Sequence, residues 1–347
     1  MTESYEAEVP AAQNGYPVLE PVLSGKLPEG LGDDLEMLAL DAPEQIAAFD
    51  SELLPILKDG MSKPVFRAKT HLQAGGADIN YRGLRALVGL LIQRADQRLE
   101  KKELEQALEL VEQPLKLAGA MQSRPETVSV NLFSAGYASS SIAWIQGALE
   151  AGELKPEAVD RLQKLLSQHS PGYSHLSQTI TVDFAQLTNS LASEEGRGMM
   201  GIGQVEPSTL ESWKQQLLDI HEQAAKLYGT APMDAEAFNQ TVLKASGPIQ
   251  GLVIDYPAMA TMQKRYFAEY KATELGLALV GPEGGKWKKT PADKLVAEFF
   301  AKDPASAAAL DELIKVEIDQ ETIRIVGRLE QFELLAPGVE PVLFEHR

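Results

Sequence analysis

From Asn80 to Leu279 one segment after another returns apolar residues every three or four positions, the period of a helix. Leu84, Leu87, Val88, Leu91, Ala95 and Leu99 form the first such stripe. Leu104, Leu108, Val111, Leu115 and Leu117 form a second behind the charged patch Glu100–Glu103, so the two predict an antiparallel helix pair. Helices of this kind can bury their stripes only against one another. The chain is therefore expected to be mainly α, an irregular antiparallel helical bundle or curved helical array.

Further helices follow from the same pattern. Thr127–Leu149 carries no charged residue and is long enough to cross a bilayer, but its five serines, Asn131 and Gln146 argue for burial in protein. Ser134, Ala138 and Ser141 recur at helical spacing and suit close packing. Pro156 opens a shorter helix through Leu162, Leu165 and Leu166, which Ser170–Gly172 ends. Helices are also expected over Ser174–Ala192, from Ser208 through Leu227, over Met233–Ala245 and over Pro257–Leu279. Ser208 with Glu211 reads as a capping box, ahead of a face made by Trp213, Leu217, Ile220, Ala224 and Leu227. The last stripe runs through Met259, Met262, Tyr266, Tyr270 and Leu277.

Both flanks have a different texture. Residues 1–79, rich in Pro, Gly and Asp, read as a lead-in of loops and short helices before a helical core over 80–280. Beyond Gly281, a Lys/Trp turn, a short helix through Leu295, Val296, Phe299 and Phe300, and an Asp303-Pro304 stop lead into alternation. Val316 and Ile318, then Ile323 and Ile325, predict a β-hairpin about residues 319–321, with a third strand from 332–335 or 342–344. Residues 281–347 are thus expected to form a small α+β appendage packed on the core.

The formal charge of −18 over 347 residues repels phosphate backbones, so no nucleic acid partner is expected. The absence of cysteine removes disulfides, thiolate metal sites and cysteine nucleophiles. Met1–Gln13 has neither the basic stretch nor the apolar run of an export signal. No membrane span is expected.

Chemistry-bearing motifs are sparse. Gly196–Gly201 spells G-x-G-x-x-G, but it follows a helix rather than a strand and precedes Pro207, which favours a loop over a nucleotide cradle. His71, His169, His175, His221 and His346 show no ligand spacing; His221-Glu222 opens like a zinc-protease helix, yet Ala225 stands where the second His belongs. Neither a metal site nor a cofactor is expected. Ser139–Ser141 lack a nucleophile elbow and read as packing residues. Asp183, between Val182 and Phe184, is a carboxylate placed near a core, where burial would raise its pKa. With His175 or His221 it forms the catalytic candidate set. Trp144 and Trp213 lie on helix faces and read as core. Trp287, crowded by Lys286, Lys288 and Lys289, is the binding candidate, a local basic and aromatic patch in an acidic chain.

Gly285-Lys286-Trp287, Leu295-Val296, Lys302-Asp303-Pro304 and the hairpin after them together resemble the G-K-Y-P, L-x-x-L, D-P-F/W and strand-pair order of pseudopilin-like tails. Such tails also end large, uncharacterised, mainly helical proteins of bacterial cell envelopes, whose soluble part opens on an Asn-Ala/Gly-Tyr motif like Asn14-Gly15-Tyr16. Lys288 replaces the proline, Ala305-Ser306 replaces the aromatic and glycine, and no acidic calcium loop follows the hairpin. The resemblance implies an extracytoplasmic setting, periplasm or cell envelope, against the alternative of the cytoplasm; it carries over neither calcium nor pilus assembly. Three functions stand at this point: a non-enzymatic extracytoplasmic protein binding an unknown protein or small molecule, a hydrolase-like enzyme using a buried carboxylate and a His, and a structural scaffold.

Overall fold

The computed structural model describes residues 9–32, 34–68, 79–124, 126–170, 173–227, 235–253, 255–281, 291–318, 322–328 and 342–346. The chain is mainly α, with a small antiparallel sheet near its C-terminal end. Three short helices come first: α1 (Tyr16–Leu23), α2 (Pro43–Ala48) and α3 (Leu54–Met61), the last two joined by a π-helical segment, Phe49–Leu53. The expected pair follows as α4 (Tyr81–Glu100) and α5 (Leu104–Gln122), packed together across a turn in which Lys102 sits at φ 63°. Then come α6 (Val128–Glu150), α7 (Pro156–Gln168), α8 (Tyr173–Ala192), α9 (Glu194–Met199) and α10 (Pro207–Leu227). The helical series closes with α11 (Ala235–Lys244), α12 (Ile249–Leu252), α13 (Tyr256–Val280), α14 (Ala292–Phe299) and α15 (Pro304–Leu313).

The stripes fall where periodicity places them. Leu84, Leu87, Val88, Leu91 and Ala95 are buried on α4; Leu217, Ile220, Ala224 and Leu227 are buried on α10. On α6, Ser134, Ala138 and Ser141 are buried, and Ser141 returns its hydroxyl proton to the Val111 carbonyl of α5 at 2.8 Å. The uncharged stretch is a helix inside the protein, and no helix among the described residues is long and apolar enough to cross a membrane.

Four expectations need correction. α10 begins at Pro207, whose fixed φ suits the first helical position, so Ser208 lies inside the helix and the Glu206 carbonyl accepts from Leu210. The G-x-G-x-x-G stretch is not a loop: Ser193 caps α9 by accepting from the Gly196 N–H, and the helix runs to Met199. Asp303-Pro304 does not stop the helical series. Asp303 caps the unforeseen α15, accepting from the Ser306 N–H and its hydroxyl, with Pro304 at N1. Finally, α13 is buried on nearly every side rather than along one stripe, taking Gln263, Lys264, Lys271 and Glu274 inside with it.

That burial explains the architecture. α13 is packed by α6, α7, α10 and α15 and by the sheet, so it is the axis on which the rest is assembled. The sheet has the order β1 (Ile314–Ile318), β2 (Ile323–Gly327), β3 (Val342–His346), antiparallel throughout. Val316 faces Ile325 and Ile318 faces Ile323 in the expected hairpin, and β3 is the later of the two candidate third strands. Phe344 of β3 lies flat on Gly276 of α13, where a Cβ would stand 2.5 Å from three ring carbons. One contiguous hydrophobic core runs from Leu19 through the helices to Phe344.

The lead-in is held to this core by polar contacts. Arg94 of α4 donates two hydrogen bonds to Asp50, and Arg98 adds a third to the same carboxylate at 2.6 Å. Asn14 is buried, its amide donating to the Arg67 carbonyl at 2.7 Å and its oxygen accepting from the Arg67 and Tyr16 N–H groups. Gly15 is required beside it, since a Cβ there would stand 2.0 Å from the Gly60 carbonyl oxygen. Tyr16 then packs edge-on to Phe66. The Asn-Gly-Tyr motif is thus a packing device at the start of α1.

Candidate functional site

Asp183 lies on α8 with its carboxylate among the first residues of α6 and α13. Its Oδ1 accepts from the Val128 N–H at 3.0 Å, and its Oδ2 accepts from the Tyr256 hydroxyl at 3.2 Å. Both oxygens are therefore engaged in holding two helix starts to a third helix. Burial pushes the carboxyl up to about 7, while those two donors pull the other way. The same end of α6 carries Glu126, buried in an ion pair with Arg67 at 3.5 Å and pushed by burial up to about 8 despite that arginine and Arg124. Gln263 of α13 donates to the Val128 carbonyl at 3.2 Å. The cluster is a polar knot inside the fold.

Of the two histidines expected to complete a catalytic set with Asp183, His221 is the one whose side chain is described, and it makes no hydrogen bond to the carboxylate. His221 lies on α10 with its ring against Phe184, centroids 4.8 Å apart, and neither ring nitrogen has a hydrogen-bond partner among the described residues. Burial holds its pKa below the usual histidine range. His175 lies on α8, but its side chain falls outside the described residues, as do Lys286, Trp287 and Lys288 and therefore the expected basic patch. Trp144 is core, and Trp213 lies on Gly247, where a Cβ would come within 3.0 Å of its ring. Among the described residues no three acidic or histidine side chains are grouped to hold a metal. Ser139 donates to Glu269, and Ser140 to the backbone of its own helix.

The open space lies elsewhere. A cleft of about 550 Å³ is walled by the end of α3 (Ser62, Lys63), by α5 (Lys116, Gln122) and by the end of α7 (His169, Ser170). A second cleft of about 630 Å³ continues along α5 and α7, sharing Lys116 and Gln168 with the first. A small inner cavity of about 30 Å³ lies between α5, α6 and α13, and His169 and Gln122 line both it and the first cleft. His169 thus stands at a threshold between outer and inner space. It reaches that position because α5 has no side chain at Gly119, where a Cβ would come within 2.4 Å of His169 Nδ1. Burial, then Lys116, lowers its pKa, so the ring is neutral at neutral pH.

No known protein family, curated protein or solved structure matches this chain. The geometry of the clefts therefore has to speak for itself.

Behind Ser170 lies a constellation that the stripe pattern of α13 conceals. Lys271 and Glu274 are both buried and pair at 3.6 Å; the Lys271 ammonium donates to Ser170 Oγ, which donates to Glu274 at 2.8 Å, and Ser167 donates to the other carboxylate oxygen at 3.0 Å. The ammonium also sits over the Phe300 ring, 4.9 Å from its centroid. A hydroxyl beside a buried lysine has the outline of a nucleophile and its base. Here, however, the hydroxyl proton is directed to Glu274 and the lysine is the donor, so the group holds the end of α7 against α13 and fixes the cleft wall. Periodicity could not reveal it, because a buried charged pair leaves no mark on an apolar stripe. The feature that could have pointed to it is the density of Lys and Glu in a helix too long and too central to keep them in water.

Proposed function

We propose that this is a non-enzymatic binding protein that holds a small molecule in the cleft between α5 and α7. The observation that carries this reading is a contrast: Asp183 has both oxygens committed to the fold, whereas His169 lines both the outer cleft and the inner cavity. Ordinary ligand sites occupy roughly 300–1,000 Å³, and the outer cleft falls inside that range. The cell-envelope setting belongs to the same proposal; it is supported by the resemblance of Asn14-Gly15-Tyr16 and the Gly285–Pro304 region to helical envelope proteins and is consistent with the absence of cysteine.

A thermal-shift screen against a broad small-molecule library tests the binding reading. A ligand is expected that raises the melting temperature of the native chain by several degrees and leaves Gln168→Trp, which fills the cleft from an exposed position, unmoved. Equal stabilisation of both proteins would place the ligand elsewhere; chemical conversion of the ligand would favour an enzyme. Fractionation of cells of the source organism, probed with an antibody, tests the compartment, and recovery with cytoplasmic markers would defeat the envelope setting.

A further inference from the structure

The walls of the cleft select a chemical class of ligand. The protein carries a formal charge of −18, yet the lining of the outer cleft contains Lys63 and Lys116 and neither Asp nor Glu; acids (Glu112, Glu157, Asp160) enter only in its continuation along α5 and α7. Neither lysine is firmly committed. Lys63 pairs at 2.7 Å with Asp59, a residue one turn back whose side chain is 57% exposed, and a pair of that kind exchanges readily for another anion. Lys116 is 3.3 Å from Glu112, whose other oxygen is taken by Arg161, so that one carboxylate is shared between two cations. Behind His169 the character changes. The inner cavity is walled mainly by the carbon of Ala135, Ala138, Ile142 and Phe267, with Asn131 and Gln263 among its polar lining, and the hydroxyl of Tyr270 is already spent on the Leu166 carbonyl at 2.8 Å. Its 30 Å³ is room for roughly two water-sized groups, and a surface that is mostly carbon favours hydrocarbon over water. The His169 imidazole has no side-chain hydrogen-bond partner among the described residues, which leaves a donor and an acceptor at the point where the two spaces meet.

Resting on the binding function proposed above, we infer that the ligand is a small organic carboxylate with a short apolar chain, its carboxylate between Lys63 and Lys116 and its chain entering past His169 toward Ile142 and Phe267. Inorganic anions would satisfy the lysines and leave the inner cavity unused. Neutral amphiphiles would do the reverse.

Titration calorimetry with hexanoate, the isosteric neutral hexanamide and inorganic phosphate separates these cases. Hexanoate is expected to bind at least about tenfold more tightly than either of the others, since each tenfold step is what one modest charge-assisted contact supplies. Lys116→Gln should remove that advantage over hexanamide. Ala135→Leu, which fills the inner cavity from a half-buried position, should leave hexanoate binding no tighter than acetate, with circular dichroism confirming that the variant is folded. Hexanamide or phosphate binding as tightly as hexanoate overturns the inference, and so does the absence of hexanoate binding. If library compounds still bind in the cleft in that last case, the binding function stands and only the ligand class falls; if none binds, both fall.

Discussion

The start of α6 and the end of α7 both gather buried polar side chains, and they use them in opposite ways. At the first, Asp183 and Gln263 meet the backbone N–H and carbonyl of Val128, and the Tyr256 hydroxyl donates to the other carboxylate oxygen, so each oxygen has a partner. At the second, His169 caps α7 through its backbone while its ring looks into open space. Burial shifts the pKa of both side chains, upward for the acid and downward for the imidazole. A perturbed pKa therefore does not separate a stitch from a site. What separates them is whether the neighbouring volume is filled by the protein's own groups.

Asp183→Ala should break the stitch and give the largest effect. It strands the Val128 N–H and the Tyr256 hydroxyl in the interior, and a loss of about 3 kcal/mol is expected in urea unfolding. A loss below about 1 kcal/mol would mean that water reaches the knot. Next comes the pH dependence. With the native carboxyl at about 7 against 3.8 for the free group, the native state retains a proton that the unfolded chain has released, so this side chain's contribution is full below about pH 4, declines as pH rises, and levels off above pH 7. Glu126, at about 8, acts in the same direction. Between pH 5 and pH 8 the native protein should lose about 2 kcal/mol more than Asp183→Asn, whose amide does not titrate, its oxygen accepting from the Val128 N–H and its NH2 donating to the Tyr256 hydroxyl. Parallel pH profiles would show that Asp183 is ionised without penalty.

The other half of the comparison predicts small numbers. His169→Ala should change stability by no more than about 1 kcal/mol, because the ring makes no side-chain hydrogen bond to the described residues and already borders empty volume. A loss as large as that of Asp183→Ala would make the two regions alike. Gly119→Ala should change stability least, since the gain in helix propensity, about 1 kcal/mol, offsets the displacement of a ring that can swing into the cleft. Its effect belongs in the imidazole resonances of His169, which should shift while the melting temperature holds. Unmoved resonances would show that the ring does not depend on the missing side chain.

Most of the fold was legible in the sequence, because helices bury apolar stripes and the spacing of Leu84 to Leu99 or Leu217 to Leu227 declares them. β-alternation at Val316–Ile318 and Ile323–Ile325 was equally plain. The errors cluster where proline and a small polar residue meet. Pro207, Pro304 and the Ser193 cap each start helices, and a reading that treats such residues as punctuation places the boundary late or misses the helix after it. The site was far less legible. Asp183 stood out because a lone carboxylate between Val182 and Phe184 is anomalous on one helix, and in the structure both of its oxygens accept hydrogen bonds from helix starts. His169 was only one of five histidines without ligand spacing. Its significance depends on Gly119 and on the gap among α5, α6 and α13, all of them distances between helices that no local pattern encodes. Lys271 and Glu274 were hidden for the same reason, each being visible as a charge and neither as a buried one.

Phe344 resting on Gly276 also has a bearing on synthesis. The ribosome delivers α6 and α13 well before β3, and until residues 342–346 emerge, the bare backbone at Gly276 faces an open seam along the central helix. Gln146 of α6 waits in that seam for the Leu343 carbonyl. A nascent chain carrying every described helix still lacks the aromatic ring that covers Gly276, so the axis of the fold is closed only once β3 has been translated.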